Sequence, residues 1–359
     1  MNIQNFNSFT GTIPKTKTGI KRELKKLFPD HKCFTSLFSV EDGNPKTAKG
    51  KKLKVHTKIL HLAPSTESKN YYLDFIKTFE EIKSHLIGMT LETYLTNIDS
   101  FNKLTEEIEN LTITINKLKL HSHLSFNFCA MASEACIKAC LFNAGNPVYE
   151  GDFFTKSMAR NKRSIAFIVE RELFLELLKM EIDSSFTAFE NNPKFKEYDV
   201  LGFRLNGTQD ILFESLRFKN GQTVIEYILS KGGICYDYTK YINRHTKKSF
   251  PKNYHLTFSW SGDNESNCIK AFNQGLNVAI PFIGKLPEYF KLAGKWVKVF
   301  NGDESDVRFY DPENCVVGLK FKWDTKNNIP RDIQEKNAIE SGFVIDSKND
   351  ARCFGFLAI

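Results

Sequence analysis

From residue 199 onward the chain repeats one pattern: a short apolar run, a polar turn at its end, then a stretch of helical spacing. The runs are Asp199–Leu205 (DVLGFRL), Gly233–Tyr238, Tyr254–Ser259 and Leu276–Phe282 (LNVAIPF), with further ones at Trp296–Phe300 and Cys315–Trp323. Helical spacing falls between them around Thr223–Leu229 and Ser266–Gln274. A strand covered on both faces reads as a nearly continuous apolar run. Strands that alternate with helices imply parallel βαβ units. The pattern therefore predicts an α/β fold, a complete or partial (β/α) barrel. Upstream, Lys52–Leu62 (KLKVHTKILHL) alternates like a strand and ends in Ala63-Pro64-Ser65, while His123–Phe128 reads as a short strand. Gly19–Leu27 reads as a short basic helix and Phe154–Ile182 as a long one.

Between Ser68 and Leu118 the pattern changes. Tyr71, Leu73, Ile76, Phe79, Ile82 and Leu86 recur at helical spacing, and Phe101–Ile115 is a second amphipathic run. The stretch has no cysteine, no proline and the single glycine Gly88. It predicts a helical hairpin inserted into the main domain. The expected organisation is a basic N-terminal segment over 1–66, a helical insertion over 67–120 and the barrel domain over 121–359.

Composition narrows the classes. With 359 residues, 41% hydrophobic and 26% charged, the chain can bury a full core. No run approaches the ~18 apolar residues of a membrane span, and Met1–Thr10 lacks the apolar core of a signal peptide. A cytoplasmic location is expected. Eight cysteines there predict metal ligands sooner than disulfides. The net charge of +8 concentrates in Lys15–Lys26 and Lys46–Lys54. Those runs are either solvated faces or a surface for DNA or RNA.

The polar turns carry the candidate chemistry. Cys129-x6-Cys136-x3-Cys140 puts three thiols on one loop, a donor set for zinc or an iron–sulfur cluster. Three protein ligands leave a position open for reaction; a fourth from His121, His123 or a distant cysteine would close the site as structural zinc. Cys33, Cys235, Cys268, Cys315 and Cys353 read as buried small hydrophobes. Arg204-Leu205-Asn206-Gly207-Thr208-Gln209-Asp210 lies where a barrel assembles its active site, or is a polar turn with a helix cap. Tyr236-Asp237-Tyr238-Thr239-Lys240 offers a carboxylate beside a lysine, for proton exchange or for an ordinary salt bridge. Ser259, Trp260 and Ser261 end the next strand. Asn301–Arg308 (NGDESDVR) is a cation or base site, or a solvated loop. It lacks EF-hand spacing.

In this order the segments resemble a family of phage and prophage proteins of the gene product 88 type. The matching motifs are Leu62–Ser65, the cysteine triplet with Leu141 and Ala144-Gly145, Arg204–Ile211, Tyr236–Lys240, Asn253–Ser259, Asn277–Ile280 and Asn301–Arg308. Ala130 and Gln209 stand where the family has Pro and Ser. More distantly, three cysteines after an early strand and a Gly-bearing loop after the next resemble radical S-adenosylmethionine enzymes. Their usual cysteine spacing is x3 then x2. That resemblance implies a [4Fe–4S] cluster on Cys129, Cys136 and Cys140, and S-adenosylmethionine held by Asn206, Gly207, Thr208, Asp210 and Ser259. Tyr238 and Lys240 would line the same pocket. Asp210, Asp237 and Lys240 are the expected acid/base residues, an electron donor the expected partner, and nucleic acid the expected substrate. The alternatives are a zinc-stabilised nucleic-acid-binding protein and a barrel transglycosylase acting on DNA or RNA bases.

Overall fold

A computed structural model of the chain describes residues 12–27, 34, 36–39, 49–64, 66–120, 127–140, 150–323 and 329–357. Among these, the chain divides into two compact units. One is drawn from residues 1–37, 62–128 and 155–181, the other from 38–61, 129–154 and 182–359.

The first unit is helical. Helix α1 (Lys17–Lys25) starts at Thr16, whose hydroxyl accepts from the Gly19 N–H at 3.1 Å, and it buries Ile20 and Leu24. Lys17 and Lys21 both reach the Glu181 carboxylate, at 2.7 and 3.3 Å. Part of the basic run is thus neutralised within the chain. The hairpin predicted for the middle of the sequence is present as α2 (Thr66–Thr96) and α3 (Ile98–Leu120). Asn97 makes the turn: its Oδ1 accepts from the N–H groups of Asp99 and Ser100, and Lys119 pairs with Glu80 across the two helices. A short helix, α4 (Glu134–Lys138), belongs to the second unit; the single helix predicted over 154–182 is in fact two, α5 (Glu150–Val169) and α6 (Arg171–Asn191), of which residues 155–181 belong to this unit. Phe128, Phe167 and Phe174 pack edge to face at 5.6 and 5.3 Å within this unit.

The second unit is built on one ten-stranded sheet. Its strands are β1 (Val55–Ile59), β2 (Val200–Arg204), β3 (Ile234–Thr239), β4 (Tyr254–Ser259), β5 (Val278–Ile283), β6 (Tyr289–Leu292), β7 (Lys295–Asn301), β8 (Val316–Lys320), β9 (Ile345–Asp346) and β10 (Cys353–Phe354). The order is β1-β2-β3-β4-β5-β8-β7-β6-β10, with β9 beside β5. Pairing is parallel from β1 through β7 and antiparallel from β7 through β6 to β10. The sheet is mixed α/β, mostly parallel and open: no pairing among the described residues joins its two ends. Helices α7 (Val224–Ser230), α8 (Glu265–Asn273) and α9 (Arg331–Glu340) lie between strands in the chain. A reciprocal capping box starts α7, with Thr223 Oγ1 accepting from Glu226 N–H and Glu226 Oε2 accepting from Thr223 N–H.

Parallel registers such as His56↔Leu201 and Tyr236↔His255 bring the C-terminal ends of β1 to β4 to one edge. Two expectations need adjustment. Residues 123–126 of the strand expected over His123–Phe128 lie outside the described residues, and Asn127 and Phe128 are not in a strand. The hairpin partner β6 went unpredicted because Tyr289–Leu292 is only four residues long. The turn Ala293-Gly294 has φ of +53° and +75°, the pair of positive values that a two-residue hairpin with the strands' own twist requires.

The NGDESDVR loop is mostly buried rather than solvated, with Glu304 exposed. Asp306 is buried and ion-paired with Arg204 at the end of β2, and Asp303 Oδ2 accepts from the Lys320 N–H at 2.7 Å. Arg308 donates to the Gly302 and Ser305 carbonyls and pairs with Asp311 at 3.1 Å. Asp306→Ala strands the buried Arg204 charge and is expected to cost about 3–5 kcal/mol in urea unfolding. The double change Arg204→Met/Asp306→Leu should cost markedly less. A loss below about 1 kcal/mol for Asp306→Ala, the level of a surface pair, would rule out this tie between strand and loop.

Candidate metal centre and strand-end network

The predicted turns after β2, β3, β4 and β7 do leave strands at the same edge. The Arg204–Ile211 loop is pinned from within. Asn206 Oδ1 accepts from the Ile211 N–H at 2.8 Å while its amide donates to the Ile211 carbonyl at 3.0 Å, closing the loop on itself. Gln209, at the position where the resemblance expects serine, donates to the Leu205 carbonyl at 2.6 Å and to the Leu60 carbonyl at 3.5 Å, bridging the ends of β2 and β1. Gly207 is needed for packing: a Cβ there would lie 2.5 Å from His61 Nδ1 and 2.8 Å from Ile59 Cγ2. Thr208 and Ser259 are half-buried.

Asp237 is wholly buried in β3. Its carboxylate accepts from the Asn206 backbone at 2.8 Å and from the Tyr254 hydroxyl at 2.8 Å. Burial raises its pKa to about 7, against the lowering pull of Arg204, the Asn206 N–H, Tyr254 and Arg244. Asp210 accepts from the Lys240 N–H at 2.7 Å, from Thr239 Oγ1 at 3.2 Å and from Arg244 at 3.0 Å. Burial still leaves it above the usual carboxylate range.

The hub of this network is Arg244, which the sequence did not single out. Only 2% exposed, it forks onto both Glu214 oxygens at 2.7 Å, reaches Asp210, and donates to the Tyr254 hydroxyl at 2.9 Å. It sits in Tyr241–Phe250 (YINRHTKKSF), between β3 and β4. No local signal marked it, because its carboxylate partners Glu214 and Asp210 lie 30 and 34 residues upstream.

The cysteine loop lies on the same edge. Ser133 caps α4, accepting from the Cys136 N–H at 3.0 Å, and donates to the Ser261 carbonyl after β4 at 2.6 Å. The Cys129 thiol reaches the Thr208 carbonyl at 3.9 Å. Lys240 lies against this group. Burial works against its charge, yet Cys136, Asp210 and Cys129 hold its pKa above the ordinary lysine value. Burial pushes the Cys129 thiol up to about 12, with Lys240 opposing and Asp210, Cys140 and Cys136 adding. All three cysteines are half-buried, and Cys136 and Cys140 both lie within electrostatic reach of Cys129. Three thiols beside a cation suit a soft metal. Among the described residues no three His, Cys, Asp or Glu side chains stand close enough, as arranged, to hold a metal ion. His121 and His123 lie outside the described residues. Cys235, Cys268 and Cys315 are buried as expected, and Cys353 half-buried. A groove of about 660 Å³ on α6, lined by residues such as Asp183, Thr187 and Asn191, shares none of these groups.

The fold and site thus define an open, mostly parallel α/β protein with a cysteine loop docked on the C-terminal ends of its strands. The chain belongs to the family described as Gene product 88, whose profile matches residues 93–347. That span includes the cysteine loop and every strand-end motif from Arg204 to Arg308. No curated protein and no solved structure matches the chain. No helix among the described residues is long and apolar enough to cross a membrane.

Asp237 generates a pH prediction. Its folded pKa of about 7 exceeds the ~3.9 of an unfolded aspartate. Between those values the folded chain holds a proton that the unfolded chain has released, so stability falls as pH rises through the window. Asp237→Asn should flatten that fall in urea midpoints measured from pH 4 to 7. Equal slopes in the two proteins would refute the assignment.

Proposed function

We propose that the chain is an iron–sulfur enzyme whose cluster is held by Cys129, Cys136 and Cys140, and that it modifies nucleic acid. The observation that carries this reading is the docking of a three-thiol loop on the ends of β2, β3 and β4, with Lys240 against Cys129 and Cys136. Those strands are parallel and adjacent in chain order, the arrangement from which a partial barrel is made. An iron–sulfur cluster supplies single electrons and, with three protein ligands, one open iron. S-adenosylmethionine is the cofactor this reading names.

The chain's own residues would do the rest. Thr208, Lys240 and Ser259 are half-buried at the ends of β2, β3 and β4, where they can meet a polar cofactor. Asn206 and Asp210, the other polar groups of that loop, are engaged with Ile211, Asp237, Lys240 and Arg244. Their part is to hold the loop's shape, and Asp237 fixes Asn206 in turn. The internal bonding of Asp210 and Asp237 disfavours the transglycosylase alternative, which needs one of them, or Asp303, exposed to a base.

Anaerobic purification tests the proposal. A brown protein with about four irons and matching sulfide, lost in Cys136→Ala, is the expected result. A colourless protein with one zinc that withstands air would overturn it in favour of the zinc-stabilised reading.

A further inference from the structure

At the antiparallel end of the sheet, β6, β7 and β10 form a ribbon with two unlike faces. Phe290, Leu292, Val297 and Val299 point into the core, with Cys353 packed against them. The register Tyr289↔Lys298, Lys291↔Trp296 and Phe354↔Tyr289 puts the alternate residues on the opposite face. There Trp296 is 51% and Phe354 63% exposed. Their rings are 5.8 Å apart, and Tyr289 follows Phe354 at 6.5 Å. Exposed aromatic rings of this size in a row are costly to leave in water unless they bind something.

Charge says what. Lys291 and Lys298 stand on the same face, and Lys295 beside the hairpin turn. All three are exposed, and among the described residues none is in an ion pair. The carboxylate at the rim is Glu288, against Gly355, while Asp350 and Glu265 are paired with Arg352. Bases stack on aromatic rings whatever their sequence, and lysines beside those rings meet the phosphates. A duplex keeps its base faces covered and could not use these rings.

We propose that the outer face of the β6–β7–β10 ribbon is a binding surface for single-stranded nucleic acid, with Trp296, Phe354 and Tyr289 as stacking platforms and Lys291 and Lys298 as phosphate contacts. It takes its substrate class from the function proposed above but stands on the ribbon alone. The rings are rigid, sequence-tolerant contacts, so the surface holds a strand without reading it.

The test is fluorescence anisotropy of the full chain with labelled oligothymidylate, and with the same strand in duplex. The single strand should bind more tightly. Trp296→Ala and Phe354→Ala should each weaken it on the order of tenfold, while Trp296→Tyr keeps most of the affinity. Lys291→Gln/Lys298→Gln should lower the slope of log affinity against log salt by about 1.4, at about 0.7 per phosphate. Melting temperature and metal content should not change in these exposed-residue variants, and Cys136→Ala should still bind, so failure here is separable from failure of the metal reading. Absence of binding by the unaltered chain, equal binding of the duplex, or affinity insensitive to Trp296 and Phe354 would each overturn the proposal. Loss of binding to phosphatidylserine vesicles alone in those variants would assign the face to a membrane instead.

Discussion

The arrangement of the strand ends depends on one buried guanidinium. Arg244 comes from a loop without helix between β3 and β4, yet it joins Glu214, Asp210, Thr239 and Tyr254. A charge so deep is tolerable only when paired and fully bonded. Its planar fork suits two carboxylates at once, which a lysine could not match. Through Tyr254 the network passes to Asp237, and from there to the Asn206 N–H. The loops after β2 and β3 are therefore fixed relative to each other before any ligand arrives.

That rigidity shapes what the edge can do. The groups with the most suggestive chemistry in the sequence, Asp210 and Asp237, are occupied in holding backbone. Those nearest the cysteines are Lys240, Thr208 and the Ser261 carbonyl, reached from three successive strands. A second tie, the Arg204–Asp306 pair, anchors β2 to the loop after β7. The site edge is thus braced by charges that are largely buried, while the ribbon at the other end of the sheet presents exposed lysines.

Much of this was legible beforehand, for physical reasons. Strands covered on both faces must be largely apolar, so β2 and β5 stand out in the sequence. The α2–α3 hairpin follows from sustained helical spacing with no breaker. The short strand β6 was illegible, since four residues carry too little period to separate from a loop. The break between α5 and α6 left no glycine or proline to mark it. The acids of NGDESDVR looked solvated because nothing nearby in sequence pairs with them; Arg204 lies 102 residues away.

The sequence by itself determined the class of fold, the family and the place of the polar turns after β2, β3, β4 and β7, because local period and motif order carry that information. It determined too that three thiols share one loop. Only the tertiary structure decided which polar groups are committed to one another. Pairing depends on distances between segments far apart in the chain, and Arg244, Glu214 and Tyr254 meet only once parallel strands have brought their ends to a common edge. The same assembly decided that Trp296 and Phe354, unremarkable in the sequence, lie side by side in water.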